Sequence, residues 1–272
     1  MVIRIRRRWL GVIGLFGLAA LVLTLWGQLP VLQLGMNRPP TDCGEDPEGG
    51  AGDDGSGSAF GEELRPAASA SAQPDTPPQV NDPQKLHIFI DGFRQRLTLF
   101  EGEREVVSYP VAVGKPDTPS PPGEWRITNK STNWGGGFGT RWLGINVPWG
   151  IYGIHGTNKP WSIGTRASAG CIRMFNPDVE QLYELVPVGT RVVISGMLPE
   201  VAPRARIAEP ASGKFVLVLQ VRLRQAGFEF GPIDGRFGPA VARAVRNLQA
   251  LYGFPVDGVL TRDQQRILWF PE

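Results

Sequence analysis

Histidine and cysteine are scarce in this chain, two of each in 272 residues, and neither C-x-x-C nor H-E-x-x-H occurs. That excludes the usual ligand sets for zinc, and no metal site is predicted. No glycine-rich loop ends in Gly-Lys-Ser/Thr; the run Gly135–Gly137 is followed by Phe138, so a phosphate cradle of the P-loop kind is absent. Nothing in the composition calls for a cofactor. The net charge is only +2, with basic residues scattered except at the N-terminus, which argues against a nucleic-acid partner.

Arg4, Arg6, Arg7 and Arg8 precede an uncharged apolar stretch from Trp9 to Gly27. At 1.5 Å per residue that stretch is about 28 Å long as a helix, close to the ~30 Å hydrocarbon core of a bilayer. The arginines predict a cytoplasmic N-terminus and a single-pass protein of the cell membrane whose bulk lies on the extracytoplasmic side. A cleaved signal peptide is the competing reading. The length of the stretch and the lack of an A-x-A site after it favour an uncleaved anchor.

Five segments follow from composition and period. Residues 1–36 are the cytoplasmic flank and membrane anchor. Residues 37–83 are a Pro/Gly/Ser linker, predicted disordered, with eight acidic and no basic residues between Thr41 and Leu64. Cys43 lies there, and a disulfide from it to Cys171 would be structural rather than chemical. Residues 84–196 show short period-2 runs. Leu86–Ile90 and Leu97–Phe100 flank an Asp91-Gly92 turn signal, and Arg104–Val113, Glu124–Thr128, Arg141–Val147, Gly150–Ile154 and Thr190–Ser195 continue the series. Only Pro177–Leu185 reads as a helix. This predicts a mainly β domain, a β-sandwich or barrel-like fold. Residues 197–212, with three prolines, read as a second linker. Residues 213–272 switch to helical period: Val216, Leu219, Leu223 and Ala226; then Val241, Ala244, Val245 and Leu248; then Arg262–Leu268. A small α-helical three-helix domain is predicted, with matched turns at Asp234-Gly235 and Asp257-Gly258. His87, in the first β segment, is given no function.

The chemistry is concentrated in IYGIHGTNKPWSIGTRASAGCIRM, residues 151–174, where His155 stands sixteen positions before Cys171. A cysteine attacks as thiolate, and a nearby imidazole can take its proton. Glycine beside the nucleophile lets backbone N–H groups approach an oxyanion, which makes Gly170 and Cys171 the candidates for that role. Ser168 is suited to shaping the loop. Arg173 can pair bidentately with a substrate carboxylate or hold the loop. Trp134, Trp142, Trp149 and Trp161 lie near the motif, as core residues or as a rim over the site.

The string His155 … Ser168-Ala169-Gly170-Cys171-Ile172-Arg173 resembles the catalytic motif of the L,D-transpeptidase (YkuD-like) family, and the resemblance extends over roughly 84–196. Many members carry a second histidine where this chain has Ala169. The segment 218–268, with Asp234-Gly235-Arg236-Phe237-Gly238 and Leu248-Gln249, is similar to the three-helix peptidoglycan-binding domain. These resemblances imply a β catalytic fold and a Cys171 nucleophile with His155 as base, its tautomer set by the Gly156 carbonyl. They imply peptidoglycan stem peptides and the glycan wall as partners, with a thioester on Cys171 passed to an amine of a neighbouring stem as a 3→3 cross-link. Carbapenem-type β-lactams are the implied inhibitors. An L,D-carboxypeptidase, or an inactive wall-anchoring protein, are the alternatives.

Overall fold

The computed structural model describes residues 78–132, 134 and 136–269. The predicted transmembrane helix, Cys43 and most of the acidic linker lie outside the described residues. Among the described residues, no helix is long and apolar enough to cross a membrane.

Alternating apolar residues give the first strands. In β1 (Leu86–Asp91), Leu86, Ile88 and Ile90 point inward; in β2 (Arg96–Glu101), Leu97 and Leu99 do. Asp91 Oδ1 caps the connection by accepting from the N–H groups of Phe93 (2.9 Å) and Arg94 (3.0 Å). β3 (Arg104–Pro110) completes a meander, and β4 (Val113–Gly114) follows. Next come β5 (Gly123–Thr132), β6 (Arg141–Ile145), β7 (Tyr152–His155), β8 (Arg166–Ser168), β9 (Ile172–Arg173), helix α1 (Asn176–Leu185) and β10 (Arg191–Ser195).

Eight of these strands form one sheet, in the order β3-β2-β1-β10-β5-β6-β7-β9. The domain is mainly β as expected, and where a sandwich or barrel-like form was predicted it takes one continuous sheet. The physical reason is β5, whose ten residues serve both limbs: 123–126 pair with β10, and 127–132 pair with β6 across a register shift between Ile127 and Asn129. Side chains from both limbs meet in one core, with Ile88 and Leu99 from the first, Leu143 and Ile154 from the second, and Val179 and Leu182 of α1 against them. β4 and β8 pair in parallel as a separate two-stranded piece.

The C-terminal residues form a second core built on a repeat. Within the stretch read as linker, β11 (Arg206–Ile207) and β12 (Ala211–Ser212) pair with strands further on, followed by α2 (Lys214–Gln225), β13 (Arg236–Phe237), α3 (Pro239–Leu251), β14 (Leu260–Thr261) and α4 (Arg262–Trp269). Helix α2 ends with Phe228 N–H bonded to the Leu223 carbonyl at 2.9 Å. Helix α3 ends the same way, Phe254 to Gln249 at 2.8 Å, each bond made by the phenylalanine of a Gly-Phe pair. A buried glutamine on each helix then clasps the matched Asp-Gly turn. Gln220 Oε1 accepts from Asp234 N (3.1 Å) and Gly235 N (2.7 Å), and Gln249 Oε1 accepts from Gly258 N (2.9 Å). Their amide groups donate to Asp234 Oδ1 (3.0 Å) and Asp257 Oδ1 (2.8 Å). The Asp-Gly turns are thus architectural, each satisfying an otherwise buried amide.

The first of these turns also leans on the catalytic half. Glu124 N–H donates to the Ile233 carbonyl at 2.8 Å, and Arg236 Nη2 to the Asn146 carbonyl at 3.2 Å. Leu217 of α2 is fully buried within the β-domain core.

Candidate active site

β7 delivers His155 at its C-terminal end, and its neighbours are fixed by register. Trp142 of β6 stands opposite on one side and Arg173 of β9 on the other. Met174 N–H donates to the His155 carbonyl at 2.8 Å, so the chain just after Cys171 is hydrogen-bonded to the histidine itself. Adjacent strands lie about 4.8 Å apart, and the parallel register carried one step back from β9 sets residue 171 beside Gly153, two residues before His155.

An aromatic box encloses the two. Cys171 is 1% exposed and packs with Phe138 and Trp142, with Trp134 against the same cluster. The His155 ring lies 5.1 Å from Phe138 and stacks on Trp142 at 5.7 Å. Trp134 in turn stacks on Trp142 at 4.6 Å. The four tryptophans near the motif therefore divide. Trp142 is buried beside the imidazole, Trp134 backs it, Trp149 faces the C-terminal domain, and Trp161 is 72% exposed on the loop between β7 and β8.

The imidazole has one tautomer available. Its Nδ1 is 2.5 Å from the Gly156 carbonyl oxygen, which can only accept, so Nδ1 carries the hydrogen and Nε2 the lone pair. Nε2 is buried with no hydrogen-bond partner among the described residues. Burial pushes the His155 pKa down from 6.5 to about 4. That value already includes a smaller lowering by the nearby Arg173 charge and the opposing pull of the Gly156 and Phe138 backbone contacts. The histidine is neutral at physiological pH, as a base must be.

The loop carrying Cys171 is braced from both sides. Ser168, fully buried, donates to the Cys171 carbonyl at 2.6 Å and accepts from Gly170 N–H at 3.1 Å. Gly170 N–H, one of the two oxyanion candidates, is therefore engaged by the Ser168 hydroxyl. Gly170 has φ +124°, and a Cβ there would stand 2.8 Å from the Tyr152 ring. The Ser168 carbonyl is held by Lys115 N–H (3.0 Å) and Thr118 Oγ1 (3.3 Å). Arg173 is 4% exposed, its backbone bridged to Ala112 on both sides (2.8 and 2.9 Å).

Two residues that the sequence did not flag complete the site. Phe138 forms a wall of the box. Asn176, first in α1, accepts Thr157 N–H at 3.0 Å and leaves no room for a Cβ on Gly156. The Phe-Asn-Pro start of α1 is the only local signal for it, a polar side chain beside a proline in the first turn. His87, stacked on Phe100 at 5.2 Å in β1, belongs to the other limb of the sheet. Among the described residues, no three His, Cys, Asp or Glu side chains gather to hold a metal ion.

Residues 85–194 match the model of the L,D-transpeptidase catalytic domain (YkuD), and residues 212–268 match that described as "Putative peptidoglycan binding domain". The "Putative L,D-transpeptidase YkuD" of Bacillus subtilis (strain 168) is 47% identical over 120 residues, which are 43% of this chain and 72% of that protein. Its namesake in Bacillus licheniformis is 48% identical over 113 residues, 42% of this chain and 66% of that one. Among solved structures, an L,D-transpeptidase from Mycobacterium smegmatis aligns at 19% identity with a TM-score of 0.36, over 41% of this chain and 59% of that one. The chain thus spans about two thirds of the Bacillus proteins' length and less of the mycobacterial one.

Proposed function

The chain belongs to the L,D-transpeptidase (YkuD) family, and from that premise we propose that it cross-links peptidoglycan through a thioester on Cys171. The supporting observation is the shared aromatic box, in which a neutral imidazole with a fixed tautomer meets the cysteine loop. Nε2 of His155 takes the thiol proton as Sγ attacks the carbonyl carbon before the terminal D-Ala of a tetrapeptide stem. The C–N bond breaks, the imidazolium returns the proton to the departing D-Ala amine, and the acyl group remains on sulfur. An amine of a neighbouring stem, its proton passed to His155, then attacks the thioester. The C–S bond breaks, sulfur recovers the proton, and a 3→3 cross-link is formed. Water in place of that amine gives L,D-carboxypeptidase activity at the same site. The backbone N–H groups at Gly170 and Cys171 are the candidates to stabilise the oxyanion. Arg173 pairs with a stem carboxylate.

The C-terminal domain holds the enzyme to the wall, and the apolar segment 9–27 anchors it in the membrane with the catalytic domain outside. The acidic linker spans the distance between them. A carbapenem, acylating sulfur as the stem does, supplies the test. Intact-mass and peptide-mapping analysis should find one adduct, on Cys171. Cys43→Ser should leave it unchanged, Cys171→Ala should abolish it, and His155→Ala should slow its formation about 10²-fold through loss of the base. An adduct on Cys43 alone, or none on folded protein, overturns this reading.

A further inference from the structure

The two Asp-Gly turns of the C-terminal domain are matched in sequence and in their glutamine clasps, yet they have different surroundings. Ile233, just before the first, packs into the contact with the β-domain, where its carbonyl accepts Glu124 N–H. Val256, in the equivalent place before the second, is 54% exposed. Leu251 (70% exposed) and Tyr252 (52%) stand beside it in sequence at the end of α3. Among the described residues beyond Met197, every exposed large hydrophobic side chain falls within 251–256. Scattered single apolar residues are ordinary on a surface; a gathered set marks a place of contact.

The segment that carries this patch has charge of one dominant sign. Arg246 lies against the turn, its Nη1 2.9 Å from where a Cβ of Gly258 would be. Between Pro239 and Trp269 stand Arg243, Arg246, Arg262 and Arg266 against only Asp257 and Asp263. Tyr252 is backed by Phe254, their ring centroids 6.5 Å apart and their planes inclined by 27°, and Tyr252 is 52% exposed. An aromatic face suits the apolar face of a pyranose ring, and a guanidinium suits a carboxylate.

We propose that the end of α3 and the second Asp-Gly turn form the surface that grips a glycan strand of the wall. Sugar faces lie on Tyr252 between Leu251 and Val256, and Arg246 pairs with carboxylates of the attached stems. The first repeat spends its turn on holding the β-domain, and the second turns the same device outward. The proposal rests on the reading of this domain as a wall-binding module.

The full chain in mild detergent, sedimented with purified insoluble sacculi, provides the test. Replacing Leu251, Tyr252 and Val256 together by serine should weaken binding at least about tenfold, whereas Tyr252→Phe should stay close to the parent. Glycan strands freed of their stems should compete with sacculi. Carbapenem acylation of Cys171 and the thermal midpoint should be unchanged in the triple variant, because these side chains are mostly in solvent. Parent-like sedimentation of the folded triple variant overturns the proposal. So does competition by stem-bearing fragments but not by bare glycan, or a patch that proves instead to join two copies of the chain in sedimentation velocity. Failure of the parent itself to bind sacculi removes the module reading, while leaving the Cys171 result untouched.

Discussion

At His155, the Gly156 carbonyl and the enclosing rings act in opposite directions on one proton. The carbonyl favours the protonated ring, but burial against Phe138 and Trp142 outweighs it and holds the pKa at about 4. An unfolded chain takes up this proton near 6.5, and the folded one only near 4. Between those values the unfolded state binds more protons, so the stability present above 6.5 declines as the pH falls and is lost by about 4. The whole effect amounts to about 3 kcal/mol at most. Denaturant melts of the wild type should weaken over that window, and His155→Gln should remove the slope. The rate of carbapenem acylation should keep its acid limb near 4 as well. A limb near 6.5 would mean that the ring is hydrated in solution and not enclosed as described.

Among the elements, the short loop 168–171 is the one whose shape decides whether sulfur faces the histidine. Ser168→Ala removes a buried hydroxyl that both donates to the Cys171 carbonyl and accepts from Gly170 N–H. A loss of about 1–3 kcal/mol in stability is expected, with slower acylation of Cys171 at a temperature where the variant is fully folded. Unchanged acylation in a destabilised variant would confine Ser168 to stability. Much of this region was legible in the sequence. The His155–Cys171 spacing, the β1–β2 hairpin, α1 and the three C-terminal helices are local patterns of period and punctuation. Phe138 and Asn176 were not legible, because they reach the site through space from a glycine-rich turn and a helix start. Which of the sandwich and barrel-like forms the strands take was not legible for a related reason: the double use of β5 depends on a register shift that alternation of apolar residues does not encode. The two-residue strands β9, β11 and β12 are too short to carry any period.

For the molecule as a whole, the C-terminal domain is bound into the catalytic one and is not a tail on a tether. Leu217 fills the β-domain core, and the Ile233-Asp234-Gly235-Arg236 turn lies on β5 and beside Trp149, which meets Tyr152 edge-on at 6.4 Å, the ring against which Gly170 is placed. An apolar isoleucine in a turn was the sequence's only sign of this contact. The repeat supplies an internal control for testing it. Gly235 (φ +66°) and Gly258 (φ +79°) occupy the same left-handed position of matched turns. Alanine at either costs about 1–2 kcal/mol for the backbone alone. At Gly258 the new methyl meets only the end of the Arg246 side chain, which can move aside. At Gly235 it collides with the Trp149 ring, which is packed against Trp125 and Tyr152 and has little freedom to yield. Gly235→Ala should therefore lower the thermal midpoint by more than Gly258→Ala does, and should increase protease cleavage between residues 197 and 212. It should also slow acylation of Cys171, because displaced Trp149 bears on Tyr152 and hence on Gly170. Equal effects of the two alanines on all three measurements would mean that the domains are joined only by the chain between them.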